Sequence, residues 1–415
     1  MRQKAASTTY STLLLSMLIS FSNYAAADTQ TKTHNLVVDT GQSVDYGSDG
    51  LAIEPIKGQP FFGQDADYVG TPFSFSISAD KATVKDLNTG VTWQRVPIDK
   101  KFSWGDAGKY CENLVLTEHD DWRLPSLKEL LSIEDFSDGW PYIDQTIFSL
   151  GNQSIGKQLQ YWSSNFYHVG TTHNGAETAF GLNYGTGHIK GYPTGDGEHP
   201  MGAMPQNGRP VGVQNVPGED NKMGNMPPPP PGGEGGQPPM GNPALKLVRC
   251  VYGPSYGENQ FVDNGDGTIS DLGTGLMWLK NDSGKGLDWE HALSYAENLE
   301  FAGHNDWKLP NVKELQSIVD YSGVYPAINP DYFKITDKDA YFWSSTSAYF
   351  SKRGNKIQNM KYWAWYVAFG YAVGPDGKDS HGAGAIRYDS KAKNGPTGED
   401  AERVFNYVRA VRSIN

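Results

Sequence analysis

The stretch HDDWRLPSLKELLSIED, His119 to Asp135, returns as HNDWKLPNVKELQSIVD, His304 to Asp320, with tryptophan, proline and a Lys-Glu pair at the same spacing. The same shift of 185 residues carries Asp86-Leu87 onto Asp271-Leu272, Trp93 onto Trp278, Trp104 onto Trp289, Pro141 onto Pro326, and Phe148 onto Phe333. After a four-residue slip, Tyr161-Trp162 meets Phe342-Trp343, and LVRCVY ending at Tyr252 meets YVRAVR ending at Arg412. A copy of about 150 to 170 residues is a whole domain and too long for a solenoid repeat. The chain therefore predicts two similar domains, which its 415 residues, too many for one compact core, also favour.

Inside a copy the pattern reads as strands, two helices, then more strands. Residues 82–95 alternate around a glycine turn, and Asp266-Gly267 marks a hairpin in the second copy. Trp104, Ala107, Cys111 and Leu114 share a helical face, as do Trp289, Ala292, Ala296 and Leu299. Ser126 followed by Glu129, and Asn311 followed by Glu314, have the spacing of a capping box, each just after the extended entry set by Pro125 or Pro310. Trp122, Pro125 and Glu129, with Trp307, Pro310 and Glu314, are accordingly expected to be structural. AWYVAFG from Ala364 is apolar and aromatic enough for a buried strand.

Only two cysteines occur, Cys111 and Cys250, and their counterparts in the second copy are Ala296 and Ala410. Joint replacement is what a bonded pair predicts, so a disulfide from the first helix to the last strand of the first copy is expected.

The expected boundaries are a signal peptide at 1–27, an N-terminal extension at 28–80 packed on the first domain, domains at 81–253 and 260–415, and a disordered Pro/Gly/Met-rich insertion at 192–243. The signal reading rests on Arg2 and Lys4, the run LLLSMLIS and Ala25-Ala26-Ala27 before Asp28. The proline run resembles a linker, but LVRCVY follows it, which places it inside the first domain. A second Gly-rich excursion, 371–402, sits at the matching place.

With the signal removed, the formal charge of -12 loses two cations and becomes -14, which opposes binding to nucleic acid or anionic membranes. No other apolar run is long enough for membrane insertion. The protein is expected to be secreted, periplasmic or at the cell surface. Residues 346–415 are the exception in charge, with eleven Lys or Arg against six acids. There Tyr349, Lys352, Arg353, Lys356, Lys361 and Trp363 interleave aromatic rings with cations, a pattern that can stack on sugars and hold sulfate or carboxylate; the alternative is core aromatics beneath a solvated loop.

No catalytic, metal or cofactor constellation is found. His119 and His304 align across the copies and read as turn residues before a buried tryptophan. Glu118, Asp120 and Asp121 are adjacent loop acids, and DNGDGTISD lacks the EF-hand glycine and terminal glutamate.

The set DLxTGxxW, DW[RK]LPxxKEL, WSS and VRxVR resembles the Lcl C-terminal domain family, named for a Legionella collagen-like adhesin, over residues 80–253 and 260–412. The resemblance implies an α+β fold of two tandem C-type lectin-like domains, each with two helices and a small, mainly antiparallel sheet. It further implies an extracellular recognition or adhesion protein, and with the cation and aromatic pattern above the expectation is a noncatalytic one that binds a polysaccharide or a surface protein through loops of the second domain. Trp162 and Trp343 precede Ser-Ser, so the carboxylates of calcium-dependent lectins are missing. The alternatives are a structural component of a surface assembly, docking through its proline-rich insertion, and an unrecognised hydrolase.

Overall fold

A computed structural model describes residues 37–170, 177–194, 244–349, 361–374, 377–396 and 403–414. The expected signal peptide lies outside them, as does the insertion from 195 onward. The fold is α+β and built twice. In the first repeat, β3 (Phe75–Ile77), β4 (Thr83–Asp86) and β5 (Thr92–Gln94) lead to α1 (Trp104–Glu112) and α2 (Leu127–Ser132), then β6 (Gln160–Phe166), β7 (Thr178–Asn183), β8 (His188–Pro193) and β9 (Val251–Tyr252). The second repeat runs β10 (Phe261–Asp263), β11 (Thr268–Asp271), β12 (Leu276–Leu279), α3 (Trp289–Glu297), α4 (Val312–Ser317), β13 (Tyr341–Ala348), β14 (Trp363–Ala368), β15 (Ile386–Ser390) and β16 (Val411–Ser413). Ahead of both, β1 (Asp45–Tyr46) and β2 (Ala52–Ile53) form a short hairpin.

Each repeat owns one four-stranded antiparallel sheet, ordered β3-β4-β5-β9 or β10-β11-β12-β16. Val251 pairs with Trp93, so the strand after the insertion belongs to the first repeat. The remaining strands do not form separate small sheets. They join in one six-stranded sheet, β13-β14-β15-β8-β7-β6, whose order reads the same from either repeat. Its central joint is an antiparallel pair with Ile189 opposite Ile386. Two expectations change here: Tyr192 and Pro193 end β8 instead of opening the insertion, and the excursion 371–402 contains β15. In both places a strand continues because its neighbour in the same repeat, β7 for β8 and β14 for β15, supplies a ladder that local composition does not advertise.

The recurring motifs have recurring bonds. Ser126 and Asn311 accept from the backbone N–H of Glu129 and Glu314, and each glutamate accepts back from the cap's own N–H at 2.8 Å. The same carboxylates bind Arg123 at 2.5 Å and Lys308 at 2.8 Å. Leu127, Leu130, Leu131 and Ile133 are at most 2 % exposed, which makes α2 a core helix despite its six residues. Burying each such side chain stabilises by about 1.5–3 kcal/mol. Trp104 and Trp289 donate to the carbonyls of Ser163 and Ser344, both at 2.8 Å, which ties the first helix to the WSS strand in each copy. The VRxVR arginines Arg249 and Arg409 are buried, and each donates to three backbone carbonyls. Cys111 and Cys250 are bonded, 139 residues apart, with their Cα atoms 5.5 Å from each other.

The N-terminal extension packs on both repeats. Its β3 extends the first repeat's sheet, and Phe75 meets Phe148 edge-on at 5.1 Å. Residues 40–68, however, lie against the second repeat, where Gln42, Asp65 and Tyr68 bond to Ser347, Thr346 and Glu297.

Candidate functional site

The lysine of each KEL motif lies where the repeats meet. Lys128 donates to the Gly257 carbonyl at 2.9 Å and to Asn259 Oδ1 at 2.8 Å, holding the junction that enters the second repeat. Lys313 donates to the carbonyls of Asp39 at 2.8 Å and Ser132 at 3.1 Å, holding the segment that enters the first. Burial pushes both ammonium groups down to about 8.

Beside Lys128 opens a cleft of about 820 Å³. One wall belongs to the first repeat: Glu112 at the end of α1, Arg123, the α2 cap, and Ser164 and Asn165 on β6. The opposite wall is the junction at Glu258 and the second repeat around Asp320 and Tyr321. Asn165 Oδ1 accepts from the Leu127 N–H at 2.8 Å, so its amide is oriented by α2. Four carboxylates (Glu112, Glu129, Glu258, Asp320) stand against two cations, Arg123 and Lys128. Both cations are already engaged, Arg123 with Glu129 and Lys128 with the junction.

The second repeat has the same wall, and there it is covered. Glu297, Lys308, Ser345 and Thr346 stand where Glu112, Arg123, Ser164 and Asn165 stand in the first repeat, and chain from the extension lies across them. Thr346 Oγ1 donates to Asp65 Oδ2 at 2.6 Å while accepting from the Val312 N–H, the counterpart of the Leu127–Asn165 bond. Gln42 spans the backbone of Ser347, donating to its carbonyl at 3.0 Å and accepting from its N–H at 2.7 Å. Tyr68 donates to Glu297, and Lys308 lies 4.9 Å above the Tyr68 ring. Ser345, Thr346 and Ser347 are thereby at most 1 % exposed, whereas Ser164, Asn165 and Phe166 are half-buried. Burial raises the Asp65 carboxyl to about 6, against hydrogen bonds from Thr346 and Thr40 that lower it.

The residues expected to bind ligand fall differently. Lys352, Arg353 and Lys356 lie outside the described residues. Lys361 is buried; its ammonium donates to the carbonyls of Phe136 at 3.1 Å and Ser137 at 2.7 Å, and burial lowers it to about 8. Trp363 is buried on β14, donating to the Pro396 carbonyl, and Tyr349 is buried with its carbonyl accepting from Tyr142. A strand covered on both faces turned the aromatic alternation into core, and Lys361 became a cross-repeat clamp. His119 lies in a tight turn, where its carbonyl accepts from Trp122 Nε1 and its ring stacks on Tyr252 at 4.0 Å. The cleft was missed because its walls come from both repeats. The one signal available was the difference between Asn165 and Thr346, and between His168 and Tyr349, at matching positions.

The family model described as the Lcl C-terminal domain matches twice, over residues 82–201 and 267–389, more than half of the chain. The chain belongs to the Lcl C-terminal domain family. The two matches fall on the two structural repeats, so the first-repeat wall of the cleft and its covered twin are the same surface of two Lcl C-terminal domains. No curated protein and no solved structure matches the chain. Among the described residues no helix is long and apolar enough to cross a membrane, and no three His, Cys, Asp or Glu side chains cluster as a metal site.

Proposed function

We propose that this tandem Lcl C-terminal domain protein is a noncatalytic recognition or adhesion protein working outside the cytoplasm, and that it holds its ligand in the open groove of the first domain. The observation that carries this reading is the contrast between Ser164-Asn165, half-buried in a cleft of about 820 Å³, and Ser345-Thr346, buried under Asp65 and its neighbours. A wall that binds chain in one copy and stays open in the other is a binding surface. The Cys111–Cys250 disulfide supports an oxidising compartment. A lectin-like topology, with strands, two helices and then strands, is part of the same proposal. So is the absence of catalysis; the most buried of the groove's carboxylates, Glu129, is committed to its helix cap and to Arg123.

Labelled protein applied to printed glycans and printed envelope-protein fragments tests the reading. Binding in either set that disappears in Ser164→Trp supports the groove. Unchanged binding in that variant, or no binding in either set, rejects it. A second reading places the ligand on the segment holding Lys352, Arg353 and Lys356, favoured by the excess of eleven cations over six acids in 346–415. The triple alanine variant on the same arrays decides between them.

A further inference from the structure

We propose that the open groove of the first domain is a docking site for an extended polypeptide segment of a partner protein, one that is uncharged or basic and carries amide or hydroxyl side chains. This rests on the groove being the ligand site, and adds what the ligand is. The reason for polypeptide is internal to the molecule. The equivalent groove of the second domain is filled by polypeptide, and its contacts are of the kind that any extended chain offers. Gln42 makes a two-way amide pair with the Ser347 backbone, and Tyr68 reaches Glu297. Such grooves derive affinity from main-chain and amide bonds and selectivity from the side chains at their ends.

The two grooves differ in charge. The filled groove has Lys308 and Lys391 at its edges, and the acid it holds, Asp65, is bound through the hydroxyls of Thr40 and Thr346. Lys391 donates to the Tyr46 carbonyl and to Ser347 Oγ, both within 3 Å, and sits 4.2 Å above Trp289. By strand register, Thr194 occupies the matching place in the first domain, with no charge. The open groove substitutes Glu258 and Asp320 on its far wall, giving four acids to two engaged cations. A sulfated or phosphorylated polymer would face uncompensated carboxylates there, because both cations already have partners. A segment rich in N–H and O–H donors, or carrying Lys or Arg, finds Glu112, Glu258 and Asp320 as acceptors, and Asn165 can pair with its backbone.

The test is a random peptide library displayed on phage and selected on the full-length, disulfide-intact protein. The expected result is enrichment of basic or amide-rich peptides whose Kd rises about tenfold in Ser164→Trp and in Glu112→Arg, the scale of losing one central contact. Glu112 is exposed on the end of α1, so Glu112→Arg keeps the fold even if the tryptophan does not. Failure to enrich any peptide, enrichment of acidic peptides, or equal binding by both variants overturns the proposal. Printed glycans separate this failure from that of the broader reading. Glycan binding that Ser164→Trp abolishes, with no peptide enriched, would keep the groove as the ligand site and discard the polypeptide.

Discussion

Ile189 of the first domain lies directly opposite Ile386 of the second, across the antiparallel pair that makes one six-stranded sheet of two domains. Both side chains are fully buried in a core that draws on both repeats. The tandem domains therefore share a core and a ladder.

The first prediction follows from that sharing. Urea unfolding followed by tryptophan fluorescence and by far-ultraviolet circular dichroism should give one coincident transition. Ile386→Ala should lower the whole transition by about 2–5 kcal/mol, the usual loss for a buried isoleucine. Two separate transitions, with only the second moved, would show that the domains unfold independently.

The disulfide gives the second prediction. Cys111 and Cys250 close a loop spanning 139 residues, for which chain entropy gives up to about 5 kcal/mol of stabilisation. The second domain carries Ala296 and Ala410 in the same places, both fully buried, so alanine is compatible with the fold. The double variant Cys111→Ala, Cys250→Ala should keep the native dichroism spectrum and lose several kcal/mol in denaturant. Loss of the native spectrum would mean that the bond determines the fold as well as stabilising it.

Asp65 gives the third. Its carboxyl is raised from 3.8 to about 6 by burial, so the folded protein holds a proton there over a pH range in which the unfolded chain has released it. The unfolded state binds fewer protons at this site in that window, so the contribution of Asp65 to stability is greatest below about pH 4 and falls as pH rises through about 6. The charged form at neutral pH costs up to about 3 kcal/mol. Asp65→Asn keeps an acceptor for Thr40 and Thr346 and removes the titration. Asp45, raised to about 7 chiefly by burial and in part by Asp65 itself, adds a slope of the same sign, so the comparison is made in an Asp45→Asn background, where the difference isolates Asp65. Melting temperatures from pH 4 to 7 should fall less steeply in Asp65→Asn; parallel curves would show that Asp65 titrates normally.

Much of this fold could be read from residues that make local bonds. Ser126 with Glu129 and Asn311 with Glu314 announced their helices because capping is a contact between residues three apart. The cysteine pair was legible because a second copy showed what replaces it. The joint between Ile189 and Ile386 was not, since strands so distant in sequence pair without any local signal. Lys361 and Trp363 were misleading for a related reason. Interleaved rings and cations describe a sugar-binding loop and a doubly covered strand equally well, and only the layer formed by residues 45–50 and 136–137 decides between them. The groove was hidden because the extension 40–68, which reads as a partner of the first repeat, covers the second.

The central claim is that the same wall is covered in the second domain and open in the first, and equivalent serines report on it directly. Ser164→Cys and Ser345→Cys, made singly with the disulfide intact, place one thiol in each groove. Under native conditions a small maleimide should modify Cys at 164 readily and Cys at 345 at least about a hundredfold more slowly, because the latter waits for local opening of the extension. Equal rates, or faster modification at 345, would contradict the account.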